Sequence, residues 1–327
     1  MQLIIDTEGA QVLLKDGAFL IRDGKGGKAI SPAELDSIAI TAGVMISSDA
    51  IALAIQHDVP ILLFGHISKA QTRLWKPCFE RIAALRRHQA RFFESAEAMV
   101  WLLDLLAYRT QAQIENLKYL QKGGSRLTLV QPIRQLRRKS RALEQFRRKP
   151  PKECRQQLME IENSLTRIYR QAQGRALLHR YTFLGSRRYP AKDVFSAGVN
   201  YLYGLLYAVV EGALYAVGLN PHLGILQVGG YKASSLSSGL AEPFLPRAGR
   251  LMIGLCLDKE LPASFFSENQ HGIHLTGKGK VLIALVFRNF LRRKITFLQQ
   301  EASVKNHIYF AAARLAQQVW AQNETQR

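Results

Sequence analysis

The sequence predicts an α+β protein, with a small N-terminal β domain followed by a larger all-α C-terminal domain. Three observations carry this reading. Up to about residue 76 the apolar runs are of strand length and are separated by Gly- and Asp-containing turns. Trp75-Lys76-Pro77 interrupts that pattern. From Phe79 onward apolar residues recur at the 3.6-residue period of a helix. The chain has 327 residues, 47% of them hydrophobic, enough for two domains with real cores. We place the β domain at 1–76, a linker at 77–90 and the helical domain at 91–327.

In chain order, Leu3-Ile4-Ile5, Gln11-Val12-Leu13-Leu14, Phe19-Leu20-Ile21, Ser37-Ile38-Ala39-Ile40 and Ile61-Leu62-Leu63-Phe64 read as strands. Glu8-Gly9, Lys15-Asp16-Gly17 and the glycine-rich 23–27 read as the turns between the first of them, and the spacing suits hairpins. Ser47-Ser48-Asp49 is a run of good N-caps before the apolar segment 50–57, which predicts one helix inside the β domain. Beyond the break, Ile82, Leu85, Phe92, Phe93, Val100, Leu103, Leu106, Ile114, Leu117 and Leu120 form a stripe that Gly123-Gly124 ends. Further helical segments are predicted at 152–182, 193–217, 246–258 and 278–321, with Pro and Gly falling mostly between them.

Charge narrows the function. There are 45 Lys+Arg against 25 Asp+Glu, a formal net charge of +20. Such an excess points to a polyanion, most often nucleic acid and less often an acidic membrane face. The segment 134–152, RQLRRKSRALEQFRRKPPK, holds nine basic residues and one acidic residue, Glu144. As a helix or helix hairpin it would set Arg134, Arg137, Arg138, Lys139, Arg141, Arg147 and Arg148 along phosphates, with Arg187 and Arg188 a further basic pair. The other reading is a solvated basic face or a loop.

Other features bound the compartment and the chemistry. Cys78, Cys154 and Cys256 are odd in number and far apart, which fits a reducing cytoplasm rather than a disulfide scaffold or a zinc site. The first residues lack the basic-then-apolar pattern of a signal peptide. No run reaches the roughly 18 uninterrupted apolar residues of a membrane span. His271-x-x-His274 offers two nitrogen ligands without a third, and His57, His66 and His179 have no partner at ligand spacing.

Several dispersed motifs then converge. Glu162 is followed seven residues later by Tyr169 on a helix. Asp193, Ala197 and Tyr203 open a long apolar helix that runs into Gly218-Leu219-Asn220-Pro221 and Gly224. Glu242-Pro243-Phe244 follows. Thr7-x-Gly9-Ala10 after Asp6, Ile46-x-x-Asp49-Ala50-Ile51, Lys76-Pro77 and Gln89 precede them. On these residues, over its full length, the chain resembles the CRISPR adaptation integrase family, the Cas protein numbered one, which inserts new spacers into CRISPR arrays.

The resemblance implies a metal-dependent DNA endonuclease and integrase that holds duplex DNA across a homodimer. It implies Mg²⁺ or Mn²⁺ held at Glu162, Gln227 and Glu242, and a partner in the small ferredoxin-like second adaptation subunit. It also exposes departures. Gln227 stands where the family has its metal-binding His, Gly239 where it has an additional Asp, Leu245 where it has an Arg, and Ser196 where it has an Asn. A Gln carbonyl is a neutral ligand that exchanges no proton near neutral pH, and a missing Asp removes a negative charge. Two readings therefore stand: an active integrase, and a catalytically silent paralogue that binds DNA without cutting it.

Overall fold

The structure is a computed structural model, and it describes the chain except residues 1, 6, 24–25, 36, 41–42, 58, 60, 65–69, 75–78, 123–127, 178–190, 226–234, 259, 271, 298–299 and 326–327. Of residues 2, 4, 37, 39, 62–64, 70–74, 79–81, 235 and 323–325 it describes the backbone alone. The chain divides into two units, Met1–Ile82 and Ala83–Arg327.

In the first unit, β1 (Gln2–Ile5), β2 (Gln11–Lys15), β3 (Ala18–Asp23), β4 (Gly26–Ile30), β5 (Ser37–Ile40) and β6 (Met45–Ile46) precede the helix α1 (Ser48–Gln56), and β7 (Ile61–Phe64) and β8 (Ala70–Leu74) follow it. Two four-stranded sheets result, ordered β4-β3-β2-β6 and β1-β5-β7-β8. The first contains the expected hairpins. Asp16 and Gly17, both at positive φ (51° and 72°), are the two residues between β2 and β3, as a tight turn matched to strand twist requires.

The second sheet departs from the hairpin expectation, because β1 pairs with β5 and β5 with β7 in parallel. The cause is legible in the strands themselves. Leu3-Ile4-Ile5, Ile38-Ala39-Ile40 and Ile61-Leu62-Leu63-Phe64 are continuous apolar runs, the pattern of strands buried on both faces, rather than the alternation of a half-exposed hairpin. Ser47 caps α1, its Oγ accepting from the Ala50 N–H at 3.2 Å. Val12, Phe19, Ile38 and Ile61 form the core with Ala50 and Leu53 of that helix.

The second unit is helical: α2 (Phe79–Phe92), α3 (Ala96–Lys122), α4 (Val130–Ala142), α5 (Pro151–Leu177), α6 (Val194–Ala216), α7 (Ser235–Ala241), α8 (Leu245–Leu257), α9 (Gly277–Arg292) and α10 (Val304–Thr325). The boundary between the units falls inside α2, so the segment 77–90 expected as a linker is helical from Phe79 on. The single stripe of 79–122 is two helices, because Ser95 restarts the chain by accepting from the Ala98 N–H at 3.3 Å. The expected helix 278–321 is likewise two, separated by a ribbon of β11 (Lys294–Phe297) and β12 (Gln300–Ser303). A second ribbon, β9 (Phe266–Asn269) with β10 (Gly272–Leu275), contains His274, whose ring meets Asn269 Oδ1 at 3.2 Å.

At the centre lies α6, packed against α7, α8, α9 and α10. Its length and composition would suit a membrane span, yet 67% of its most apolar window is buried inside the unit. Asp193 caps it twice, accepting from the Ser196 N–H at 2.7 Å and the Ser196 hydroxyl at 2.8 Å. Ser196, at the family's Asn position, therefore still closes the helix start.

Candidate functional site

Glu162 and Glu242 reach one cavity from separate elements. α5 buries Leu158, Leu165, Tyr169 and Ala172, which leaves Glu162 at the edge of its apolar face. Glu242 sits in the turn between α7 and α8, where the Glu242 and Phe244 N–H groups bond back to the Gly239 and Ala241 carbonyls and the Phe244 side chain is wholly buried. Both side chains are 22% exposed. The cavity they share, about 330 Å³, is also lined by Trp101, Arg109, Gln113, Tyr169 and Gly239.

Between the two carboxylates stands a residue that no sequence motif singles out. Arg109 of α3 donates from one nitrogen, Nη1, to Glu162 Oε1 at 2.6 Å and to Glu242 Oε2 at 2.9 Å. Its side chain is 4% exposed. Burial by itself would lower the pKa of this guanidinium, but the charges of Glu242 and Glu162 and their hydrogen bonds outweigh burial and hold it above the ordinary arginine value. Arg109 is a fixed cation, and the triad carries a net charge of −1. Thr166, one turn along α5, adds a hydroxyl bond to the same Glu162 oxygen at 3.0 Å.

A polar stripe extends this arrangement along α3. Arg109, Gln113 and Asn116 are all buried, at helical spacings of four and three. Asn116 Nδ2 donates to the Tyr169 hydroxyl at 2.9 Å and to the Pro246 carbonyl at 2.6 Å, tying α3 to α5 and α8. Arg109 Nε and Nη2 and Gln113 Oε1 are buried without a hydrogen-bond partner among the described residues, and the adjoining cavity has room to solvate them. A charged and two amide side chains on the apolar side of a helix need buried partners, a signal that marks the stripe without naming those partners.

Comparison with known proteins identifies the setting. The family model described as CRISPR associated protein Cas1 matches residues 3–288. The chain belongs to the Cas1 family. A CRISPR-associated endonuclease Cas1 of Archaeoglobus fulgidus is 26% identical over 258 residues, covering 75% of this chain and 74% of that protein. A Rhodospirillum rubrum Cas1 endonuclease is 26% identical over 322 residues, covering 95% and 93%. Among solved structures, a Cas1 protein of Thermotoga maritima superposes with a TM-score of 0.78 at 19% identity, covering 98% of this chain and 97% of its own. A casposase bound to its integration product gives 0.78 at 20% identity, covering 98% and 91%. At these identities the likeness shows the Cas1 fold: a small β region followed by a mostly helical one.

The Cas1 metal expectation meets an obstacle in Arg109. One oxygen of each glutamate, Glu162 Oε1 and Glu242 Oε2, is already bonded to Nη1, so Mg²⁺ or Mn²⁺ would compete with Arg109 for the pair. A +2 ion beside the guanidinium would be repelled by it, an opposition that a metal site without Arg109 does not carry. Among the described residues no group of three or more His, Cys, Asp or Glu side chains is placed to hold a metal. Gln227 lies outside the described residues. Gly239 leaves room for the family's Asp, since an added Cβ there would meet only Trp101 Cη2, at 3.9 Å. With Arg109 bonded to both, the two described acids do not by themselves fit a divalent ion.

The basic segment is a helix hairpin. α4 buries Ile133 and Leu136 and exposes Arg134, Arg137, Arg138 and Arg141, while Lys139 is half-buried. Arg148 is exposed beyond the 3₁₀ turn Leu143–Phe146. Arg147 differs, because its guanidinium bonds Glu144 at 2.6 and 3.0 Å and Asp104 of α3 at 2.9 Å. Arg187 and Arg188 lie outside the described residues. Of the three cysteines, Cys154 and Cys256 are buried free thiols and Cys78 lies outside the described residues.

Proposed function

We propose that this Cas1-family chain binds duplex DNA within a CRISPR adaptation complex and holds it without cutting it by the usual metal-assisted route. The DNA-binding part rests on one observation: α4 turns four arginines outward while packing its apolar side on α3 and α5, the helices that carry Arg109 and Glu162. Arginines 134, 137, 138 and 141 form one positive ridge along the helix, the geometry that meets successive phosphates. The silent part is supported by Arg109 between the carboxylates and by Gln227 and Gly239 at the His and Asp positions.

The same reading assigns partners. A second copy of the chain would extend the positive surface, and a Cas2-type subunit is the natural bridge between copies. One solved structure of the same fold, at a TM-score of 0.79 and 16% identity over 98% of this chain and 35% of its own, is a Cas6-RT-Cas1–Cas2 complex. We place this activity in the cytoplasm.

Two assays on the full chain test the proposal. A labelled short duplex with 3′-OH ends should bind, with affinity falling steeply as salt rises. Incubation with that duplex, a repeat-bearing supercoiled plasmid and Mn²⁺ should give no strand transfer. Transfer that Glu162→Ala abolishes would overturn the silent reading, and failure to bind at low salt would overturn the DNA-binding one.

A further inference from the structure

The cation at the carboxylate pair is part of the protein. We infer that Arg109 is a built-in counter-ion that takes the place of a divalent metal between Glu162 and Glu242, closing the pair to metal and converting it into a clamp that joins α3, α5 and the α7–α8 turn.

Geometry carries this. One nitrogen, Nη1, bridges two carboxylates from residues 80 positions apart, as a shared metal ion would, at 2.6 and 2.9 Å. Arg109 is held within the unit: its side chain is 4% exposed, and Leu105, Leu106, Thr110, Ala112 and Gln113 around it on α3 are all buried. A metal that took the oxygens held by Nη1 would leave the 4%-exposed guanidinium without its carboxylate partners, an unpaired buried charge. Charge count agrees. Two carboxylates and one guanidinium leave −1, whereas the same pair with a +2 ion and Arg109 retained would sum to +1 in a nearly buried site. The absence of a carboxylate at Gly239 follows the same logic, since an internal monovalent cation needs fewer acids around it than a divalent one.

A clamp and a metal site make opposite predictions about divalent ions. The clamp concerns the same carboxylates as the silent reading but not DNA binding, which can succeed or fail independently. The test uses the full-length protein without DNA, with bound Mn²⁺ read by electron paramagnetic resonance and stability by thermal melting. Wild type should retain no Mn²⁺ and should melt at the same temperature in Mn²⁺ and in EDTA. Arg109→Gln should gain Mn²⁺ binding and, at about a hundredfold excess of Mn²⁺ over its dissociation constant, melt about 5–10 °C higher than in EDTA. Arg109→Lys, which keeps the charge, should stay indifferent to Mn²⁺. The inference is overturned if wild type holds stoichiometric Mn²⁺ that Glu162→Gln releases, or if folded Arg109→Gln ignores Mn²⁺. Should Arg109→Gln fail to fold, the comparison of wild type with Glu162→Gln decides.

Discussion

Gln89 grips Asn220 through both ends of its amide. Its Oε1 accepts from the Asn220 N–H at 2.8 Å, and its Nε2 donates to the Asn220 carbonyl at 2.9 Å and the Leu223 carbonyl at 3.2 Å. The side chain is wholly buried, and Arg86 one turn earlier donates to the Gly218 carbonyl at 3.3 Å. The chain turns back there with Gly218 at φ 84°, a conformation that suits glycine. Helix α2 is therefore the template for the Gly218-Leu219-Asn220-Pro221 turn.

Replacing that amide with an apolar side chain of similar size strands the Asn220 N–H and the Leu223 carbonyl, while the Asn220 carbonyl keeps its bond from the Leu223 N–H at 3.3 Å. Gln89→Leu should destabilise the protein by about 2–4 kcal/mol, since each buried unpaired group costs roughly 1–3 kcal/mol and such losses are not fully additive. Urea unfolding measures it. Gln89→Ala, which admits water to the turn, should cost less.

Removal of Arg109 leaves two carboxylates facing each other. Arg109→Met should be destabilised toward the lower end of the roughly 3–5 kcal/mol that breaking a buried ion pair costs, because both glutamates retain some solvent exposure. The triple variant Arg109→Met, Glu162→Gln, Glu242→Gln should recover most of that loss, because no unpaired charge remains. Equal loss in the single and triple variants would mean that packing, not charge, holds Arg109.

The arginines of α4 should act differently from their neighbour Arg147. Reversing Arg137, Arg138 and Arg141 to Glu should flatten the slope of log K against log salt by roughly 0.9 for each phosphate that the protein no longer neutralises. Arg147→Ala should leave the slope nearly unchanged, because its guanidinium already holds Glu144 and Asp104. It should lower stability by about 0.5–1 kcal/mol, the scale of an exposed ion pair.

Thiol chemistry offers an independent check on packing. Burial, with Asp193 nearby, pushes the Cys256 thiol up to about 12, and burial raises Cys154 as well. A raised pKa keeps the thiol protonated and unreactive, so in Cys78→Ser protein neither should label with iodoacetamide at pH 8 until denaturant is added. Rapid labelling of either in the folded protein would contradict its placement.

Much of this is legible in the sequence, and the gaps have physical causes. Ser47 and Asp16-Gly17 announce their cap and turn, because such signals act within a few residues. The parallel pairing of β1, β5 and β7 escapes a local reading because partners in a parallel sheet are set by long-range burial, although their continuous apolar runs point to it. The β11–β12 ribbon hides inside an expected helix, although Ile295-Thr296-Phe297 is a β-prone run between two helical patterns. At the site, Glu162 and Glu242 stand out by family motif. Arg109 does not, because its partners lie 53 and 133 residues away and no local spacing links them.

The most direct measurement is the anomalous difference map of crystals grown in Mn²⁺. The account predicts no manganese peak between Glu162 and Glu242, with Arg109 Nη1 within hydrogen-bond distance of an oxygen of each. A manganese peak coordinated by both carboxylates, with the Arg109 side chain displaced, would contradict it.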